Sequence, residues 1–442
     1  MDQLIVTGSK TLSGTITVSG AKNVAMKVLL AGLLTDKAIH IANVPLISSV
    51  FGTAEIVKHL GVKVRINSDH TMRIKGDGKG DFTVPLELGG LYRTATMTLG
   101  PLLARFGRAV VPNPGGCRLG KRPIDQHVEG LTALGAKIEY KDGFFHASTH
   151  RLKGTRFRFS RNTHTGTETL ILGAVLADGE TVLENAAAEP EVDDLLALLN
   201  SMGAKIRRID THTIVITGVK KLQGASHTIM TDRNEVVTFA VGAIASGGEV
   251  IVQGTQRLYL KSFLEALDAS GGGWEALSEH STRFFAIKKI KPTHIVTGPH
   301  PGFMTDWQAP WALLMTQADG ESHIHETVFE NRFGYVRELH KMGADIQFFQ
   351  PEVTDPQEIY NFQLDEKAVV EFQAIRIRGK TKLHNGVVEV SDLRAGATLL
   401  LAAIIANGES VVRGVEHIDR GYEQIEKRLI KLGAKIVRIK EA

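Results

Sequence analysis

Two patterns of apolar and polar positions alternate along this chain. The first is an almost unbroken apolar stretch of helix length closed by a turn dipeptide. Examples are Leu170-Ile171-Leu172-Gly173-Ala174-Val175-Leu176-Ala177-Asp178-Gly179 and Leu399-Leu400-Leu401-Ala402-Ala403-Ile404-Ile405-Ala406-Asn407-Gly408. Asp-Gly and Asn-Gly favour tight turns. The β-branched runs that follow, Thr181-Val182-Leu183 and Ser410-Val411-Val412, predict strands. The second pattern is amphipathic: between Glu191 and Met202, leucines at 195, 196, 198 and 199 line one helical face. This second helix runs into Met202-Gly203-Ala204-Lys205-Ile206, where the glycine suits a left-handed C-cap. Two strands, Lys205 to Arg208 and Thr213 to Thr217, then close the unit.

The capping phrase recurs. It stands as Leu60-Gly61-Val62-Lys63-Val64, Leu134-Gly135-Ala136-Lys137-Ile138, Met342-Gly343-Ala344-Asp345-Ile346 and Leu432-Gly433-Ala434-Lys435-Ile436, with a degraded copy at Ser270-Gly271-Gly272-Gly273-Trp274. Successive copies lie 68 to 90 residues apart. Self-similarity at a steady period marks a repeated supersecondary unit. The chain therefore predicts helix, strand, helix, strand, strand, repeated six times. Apolar helices such as Val24 to Leu34 predict helices inside and strands packed around them. The last interval is long because Gln350 to Gln373, rich in Glu, Asp and Pro, predicts a surface excursion.

Composition narrows the function classes. At 442 residues the chain predicts two domains rather than one core. A formal net charge of +4 and the lack of any Lys/Arg block argue against a nucleic-acid surface. A single cysteine excludes an intramolecular disulfide and zinc-type spacings, which fits a reducing, cytoplasmic setting. The start, Met1-Asp2-Gln3-Leu4-Ile5-Val6, lacks the pattern of a signal peptide, and the apolar run Ala397 to Ala406 is too short to span a bilayer. No P-loop, dinucleotide fingerprint or HExxH helix occurs, so no metal and no cofactor are expected.

The candidate chemistry lies on loops. Cys117 follows Pro112-Asn113-Pro114-Gly115-Gly116 and stands near Arg118, Lys121 and Arg122. The prolines and glycines exclude regular structure, and neighbouring cations favour a reactive thiol over a buried one. Lys22 sits in Ser19-Gly20-Ala21-Lys22-Asn23, just before an apolar helix, where free N–H groups and a positive dipole end suit an anion. Arg93 and Arg394 each open another apolar helix, against the dipole; Ser391 or Asp392 would cap the latter. Asp306 precedes a helix from Ala309 and reads either as an N-cap or as a general base. Glu189, Glu191 and Asp232 read equally as caps, ion pairs or ligand contacts.

Together these phrases, with Arg122-Pro123-Ile124-Asp125-Gln126-His127, Phe329-Glu330-Asn331-Arg332, Asp392-Leu393-Arg394-Ala395 and His417-Ile418-Asp419-Arg420-Gly421, resemble the UDP-N-acetylglucosamine 1-carboxyvinyltransferase family of enolpyruvyl transferases from Ile5 to Lys440. The resemblance implies a two-domain inside-out α/β barrel built from six βαβαββ repeats. Residues 21–231 would form one domain, and 1–20 with 232–442 the other, with the active site in the cleft. It implies transfer of the enolpyruvyl group of phosphoenolpyruvate to the 3′-hydroxyl of UDP-N-acetylglucosamine, in peptidoglycan synthesis. Cys117, Asp306, Lys22 and Arg394 would be catalytic, Cys117 as proton donor and Asp306 as base. Lys22, Asn23, Arg122, Arg394 and Arg420 would hold phosphoenolpyruvate. Asn23, Arg93, Lys121, Arg122, Pro123, Ile124, Asp125, His127, His164, Thr165, Gly166, Asp306 and Val328 would face the nucleotide sugar. The implied partners are these small molecules, not nucleic acid or membrane.

The chain departs from the family pattern in places. His164-Thr165-Gly166 replaces the usual Ser-Val-Gly, and Lys27 replaces an apolar residue or proline. Trp307, Pro310 and Trp311 crowd Asp306, and the insertion from Gln350 to Gln373 is unusual. Two alternatives therefore stand beside the main reading: a 5-enolpyruvylshikimate-3-phosphate synthase-like enzyme, and a non-catalytic UDP-sugar-binding paralogue.

Overall fold

A computed structural model describes residues 2–78, 81–113, 123–362 and 372–440. Those residues build five four-stranded sheets and one three-stranded sheet. The strand set Arg156–Arg158, Glu180–Glu184, Lys205–Asp210 and Thr213–Thr217 shows the plan. The first pairs parallel with the second, the second antiparallel with the fourth, and the fourth antiparallel with the third. Helices His164–Ala174 and Pro190–Ser201 make the two crossovers, giving βαβαββ. The same strand order recurs in the other four-stranded sheets. In the three-stranded sheet the parallel edge strand shrinks to a single bridge between Thr83 and Val110.

The sequence order of the repeats is permuted at three places, for a topological reason. The final strand, Lys435–Lys440, pairs with Asp2–Thr7, so the N-terminus supplies the closing strand of the last repeat. The parallel edge strand of the sheet holding Ala38–Ala42 is Ala225–Thr228, far along the chain. Likewise Ser13–Thr17 edges the sheet of Glu249–Gln253.

The described residues form two compact units, one from 20–113 and 123–230 and the other from 2–19 and 231–440. Each has its own hydrophobic core. In the second unit the helices Arg233–Ala245, Gln308–Met315 and Leu393–Ile405 pack on one another. Nearly every residue of the three is buried, as their apolar sequences demand. In the first unit Lys22–Ala31, Thr94–Met97 with Leu99–Phe106, and His164–Ala174 play that part. The strands carry the alternating burial of sheets covered on one face: along Met72–Gly76, Met72, Ile74 and Gly76 are buried while Arg73 and Lys75 are exposed. The amphipathic helices end at Gly61, Gly135, Gly203, Gly271, Gly343 and Gly433, all with positive φ. The left-handed cap expected from the repeated phrase is present at every copy.

The insertion corrects one expectation. It is not simply a surface excursion: after the short helix Pro356–Ile359, Tyr360 is 5% exposed, with its hydroxyl 3.0 Å from His325 Nε2. Asn361 N–H donates to Thr327 O at 2.7 Å. An aromatic side chain that can bury its ring and satisfy its hydroxyl anchors the segment.

Candidate active site

In the unit of residues 231–442, the chain enters the Gln308–Met315 helix through the single 3₁₀ turn Thr305–Trp307. Asp306 makes no cap there. Its Oδ1 accepts from Arg332 Nη2 at 2.6 Å and its Oδ2 from Arg394 Nε at 3.2 Å. The carboxylate is a quarter exposed, while the two guanidinium side chains are 7% and 5% exposed. Thr305 and Glu326 fix the arrangement from behind. Arg332 Nη1 donates to Thr305 Oγ1 at 2.8 Å, and Thr305 Oγ1 donates to Glu326 Oε2 at 2.8 Å. Glu326 is fully buried and takes further N–H donors from Gln308, Val328 and Phe329. Each buried charge is thus met by a hydrogen-bonded partner, which such burial requires.

Arg394 stands in the first turn of the Leu393–Ile405 helix, where a cation opposes the dipole. Asp392 caps that helix, accepting from the N–H groups of Arg394 and Ala395 at 3.0 Å. The guanidinium lies over the Tyr422 ring at 5.2 Å. Burial opposes its charge, but Tyr422, Asp306 and Asp232 outweigh burial and hold the group above the ordinary arginine value. For Arg332, Asp306, Glu326 and Asp392 outweigh burial in the same way. Arg394 Nη1 is buried and has no hydrogen-bond partner among the described residues. A buried guanidinium donor left open in this way is a ready contact for an anionic oxygen.

In the unit of residues 20–230, Lys22 and Asn23 are the first residues of the Lys22–Ala31 helix and are half-buried. Ala21, at the cap position, supplies no side-chain acceptor to the helix N–H groups. Gly20 must be glycine, because a Cβ there would meet Asn43 O at 1.8 Å. Further along this helix, Lys27 Nζ lies 2.9 Å from Glu168 Oε2, with the two side chains 3% and 0% exposed. His164 Nε2 sits 3.1 Å from the other oxygen of Glu168. Burial alone would lower the His164 pKa; the Glu168 carboxylate prevails and raises it. His127, itself buried, places Nε2 3.1 Å from Thr165 Oγ1. Asp125 pairs with Arg161 at 3.0 Å, and Arg93 Nη2 donates to Pro123 O at 3.2 Å.

A family model described as EPSP synthase (3-phosphoshikimate 1-carboxyvinyltransferase) matches residues 6–429. The UDP-N-acetylglucosamine 1-carboxyvinyltransferase of Acidobacterium capsulatum is 40% identical, over 99% of this chain and 96% of its own length. That of Hydrogenovibrio crunogenus is 39% identical, over 99% of this chain and all of its own. The chain belongs to the EPSP synthase family of carboxyvinyltransferases. Among solved structures, the enolpyruvyl transferase NikO from Streptomyces tendae matches with a TM-score of 0.86 at 22% identity, covering 100% of this chain and 99% of NikO. EPSP synthase from Acinetobacter baumannii matches at 0.73 and 18% identity, with full coverage of both chains. These two likenesses concern the fold: the inside-out α/β architecture of six βαβαββ repeats.

Within that family fold, the residues singled out from sequence fall into distinct groups. Asp306 and Arg394 share one ion pair. His127 and Thr165 are in contact, and His164 joins Glu168. Gly166 is buried, and its N–H donates to Thr163 Oγ1 at 3.2 Å as the helix cap. Val328 likewise has its N–H engaged, by Glu326. Ile124 is 6% exposed and Pro123 is exposed beside it. Arg420 follows the short helix Val415–Asp419 and is half-buried. Cys117, Lys121 and Arg122 lie outside the described residues. Arg332 and Glu326 are the site residues that sequence reasoning did not assign. Both stood in the polar stretch after an apolar strand end, a signal of composition with no partner visible until the strand was folded back.

Proposed function

We propose that this protein transfers the enolpyruvyl group of phosphoenolpyruvate to the 3′-hydroxyl of UDP-N-acetylglucosamine and releases phosphate, the committing step of peptidoglycan synthesis. The observation that carries this reading is about 40% identity, over essentially the whole chain, to relatives bearing that activity as their name. The acceptor chemistry follows the relatives rather than the family model's description, because the solved EPSP synthases share only 18% of residues. The reaction would run in the cytoplasm on two soluble, anionic substrates.

The open Nη1 of Arg394 supports a role in gripping phosphoenolpyruvate, together with Lys22, Arg122 and Arg420. Cations fixed in advance stabilise the negative charge of a phosphate-bearing tetrahedral intermediate without reorganising. Asp306 accepts the proton of the 3′-hydroxyl as its oxygen bonds to the substituted enol carbon. Cys117, as a thiol, gives a proton to the methylene carbon, making it methyl. Loss of that proton and of phosphate restores the double bond on the transferred group. Because Arg332 and Arg394 both hold Asp306, an anionic substrate drawing on Arg394 would free one carboxylate oxygen for the hydroxyl. Asn23, Arg93, Pro123, Ile124, Asp125, His127, His164, Thr165 and Val328 are assigned to the nucleotide sugar.

The deciding experiment measures phosphate release from phosphoenolpyruvate with UDP-N-acetylglucosamine and, separately, with shikimate 3-phosphate. Release only with the nucleotide sugar is expected. Release only with shikimate 3-phosphate would reassign the acceptor, and release with neither would leave the binding paralogue as the better account.

A further inference from the structure

The outer face of one sheet has a charge pattern that the proposed reaction does not use. The sheet contains Ala38–Ala42, Val62–Ile66, Met72–Gly76 and Ala225–Thr228. On its exposed face Arg65 stands directly opposite Arg73, and Arg73 directly opposite His40. One step along the same face, Lys63 stands opposite Lys75. Directly opposed side chains have Cβ atoms roughly 5 Å apart, and like charges so placed destabilise a sheet. None of these basic residues has an ion pair among the described residues, and only a neutral contact, Arg65 Nε to Asn67 Oδ1 at 3.0 Å, engages either arginine.

Most of the other sheets treat exposed cations differently. Arg283 is held between Glu249 and Glu275, Arg376 and Arg378 share Glu321, Arg413 meets Glu389, and Arg156 meets Glu184. Among the described strands, arginine or lysine stands directly opposite another such cation only in this sheet, so the row is a local property and not a habit of the fold. Two carboxylates on or beside the sheet are engaged elsewhere. Asp69 accepts the N–H and hydroxyl of Thr71. Asp194 lies 3.2 Å from His227 at the far edge.

The face is also concave. A groove of about 520 Å³ is lined by His40, Arg65, Asn67, Thr71, Arg73 and Ser226, among others. The groove is open to solvent rather than enclosed, so what it offers a ligand is its charge. The lining offers guanidinium forks, an amide and hydroxyls, the donors that recognise phosphoryl oxygens. Its aromatic rings are the imidazoles of His40 and His227; no Phe, Tyr or Trp lines it, unlike the stacking platforms of single-strand nucleic-acid grooves. Cations about 5 Å apart across strands and about 7 Å apart along them match an anion with more than one charged group. We infer that this sheet face binds a small anion carrying at least two phosphoryl charges, at residues separate from those of the proposed reaction.

The test titrates inorganic pyrophosphate into the full-length protein by calorimetry at low salt. It compares the wild type with a variant carrying Arg65→Gln and Arg73→Gln. Orthophosphate and a single-stranded oligouridylate serve as parallel probes. Both arginines are exposed, so the variant should fold and turn over substrate normally. Any pyrophosphate held by the reaction's own cations is the same in both proteins, so the difference reports the sheet. The variant is expected to lose about tenfold or more in pyrophosphate affinity, the scale of one lost charge-assisted contact. Its melting temperature without anion should equal or exceed the wild type's, and pyrophosphate should raise it less. Equal pyrophosphate binding and equal thermal response in the two proteins would overturn the inference. So would a loss confined to the oligouridylate, which would assign the face to nucleic acid.

Discussion

Replacing Lys27 with methionine tests how the buried Lys27–Glu168–His164 cluster works. Methionine keeps the volume and removes only the charge. Glu168, fully buried, would then keep a single possible counter-charge, His164 at 3.1 Å. Removing one partner of a buried ion pair costs about 3–5 kcal/mol when nothing replaces it. Here the replacement titrates. Glu168 raises the His164 pKa and Lys27 lowers it, so the variant should raise it further. A group whose folded pKa lies above its unfolded value of about 6.5 stabilises fully below that value and loses the effect as pH rises through the folded pKa. The cost of Lys27→Met should therefore be small at acid pH, where imidazolium faces carboxylate. It should grow toward the full figure above neutrality, by about 1.4 kcal/mol for each added unit of His164 shift. The measurement is chemical unfolding of the wild type and variant from pH 5.5 to 8.5, with the His164 ring followed by NMR. A control pair lacking His164 should show a cost of Lys27→Met with less pH dependence. A flat cost in the presence of His164, or one that is larger in acid, would refute the coupling.

Other substitutions test the site and its frame. Arg332→Ala removes a 2.6 Å contact to Asp306 and strands Thr305; losing one charge-assisted bond of about 1.5–3 kcal/mol should lower kcat/KM by roughly 10- to 100-fold in steady-state assays. Cys117→Ser should abolish turnover while nucleotide binding by calorimetry persists, and Cys117→Asp should retain turnover but lose sensitivity to thiol alkylation; normal turnover by the serine variant would remove Cys117 from the chemistry. Gly20→Ala drives a Cβ into Asn43 O at 1.8 Å and should destabilise by about 3 kcal/mol or more, read as a lower melting temperature.

Much of the fold was legible because each repeat carries the same local signals. An apolar helix of core type, a turn dipeptide, an amphipathic helix and a left-handed glycine occur in fixed order. What was not legible is where the permuted strands go. Nothing local in Asp2–Thr7 says that it closes the sheet of Lys435–Lys440. Pairing across the whole chain is decided by which edge remains open, a property of the assembled sheet. The site shows the same divide. Arg394 stood out because a cation beside a helix start breaks a local rule. Arg332 broke none, since its partners, Thr305 and Asp306, are more than twenty residues away. Lys27 and His164 each stood out alone, and only the structure joins them through Glu168.

The repeat also accounts for where the chemistry lies. The polar residues that matter cluster where a core helix begins: Lys22 at Lys22–Ala31, Arg93 before Thr94–Met97, and His164 at His164–Ala174. Asp232 caps Arg233–Ala245, Asp306 precedes Gln308–Met315, and Asp392 with Arg394 opens Leu393–Ile405. These helices are apolar nearly throughout, and the charges in or beside their first turns are mostly buried and held by partners, as Arg394 is by Asp306. The same turns carry the positive ends of the helix dipoles, which favour negative charge, and Thr163, Asp232 and Asp392 already cap N–H groups at three of them. A fold made of one unit six times thus repeats an anion-favouring position six times. On the proposed reading, the cations at Lys22 and Arg394 and the carboxylate at Asp306 would sharpen that background into sites of different function. On this argument Arg394→Gln should weaken phosphoenolpyruvate binding more than a neutral hydrogen bond would explain, because Gln keeps a donor and loses the charge. A variant that binds phosphoenolpyruvate as the wild type does would show that the helix end alone suffices there.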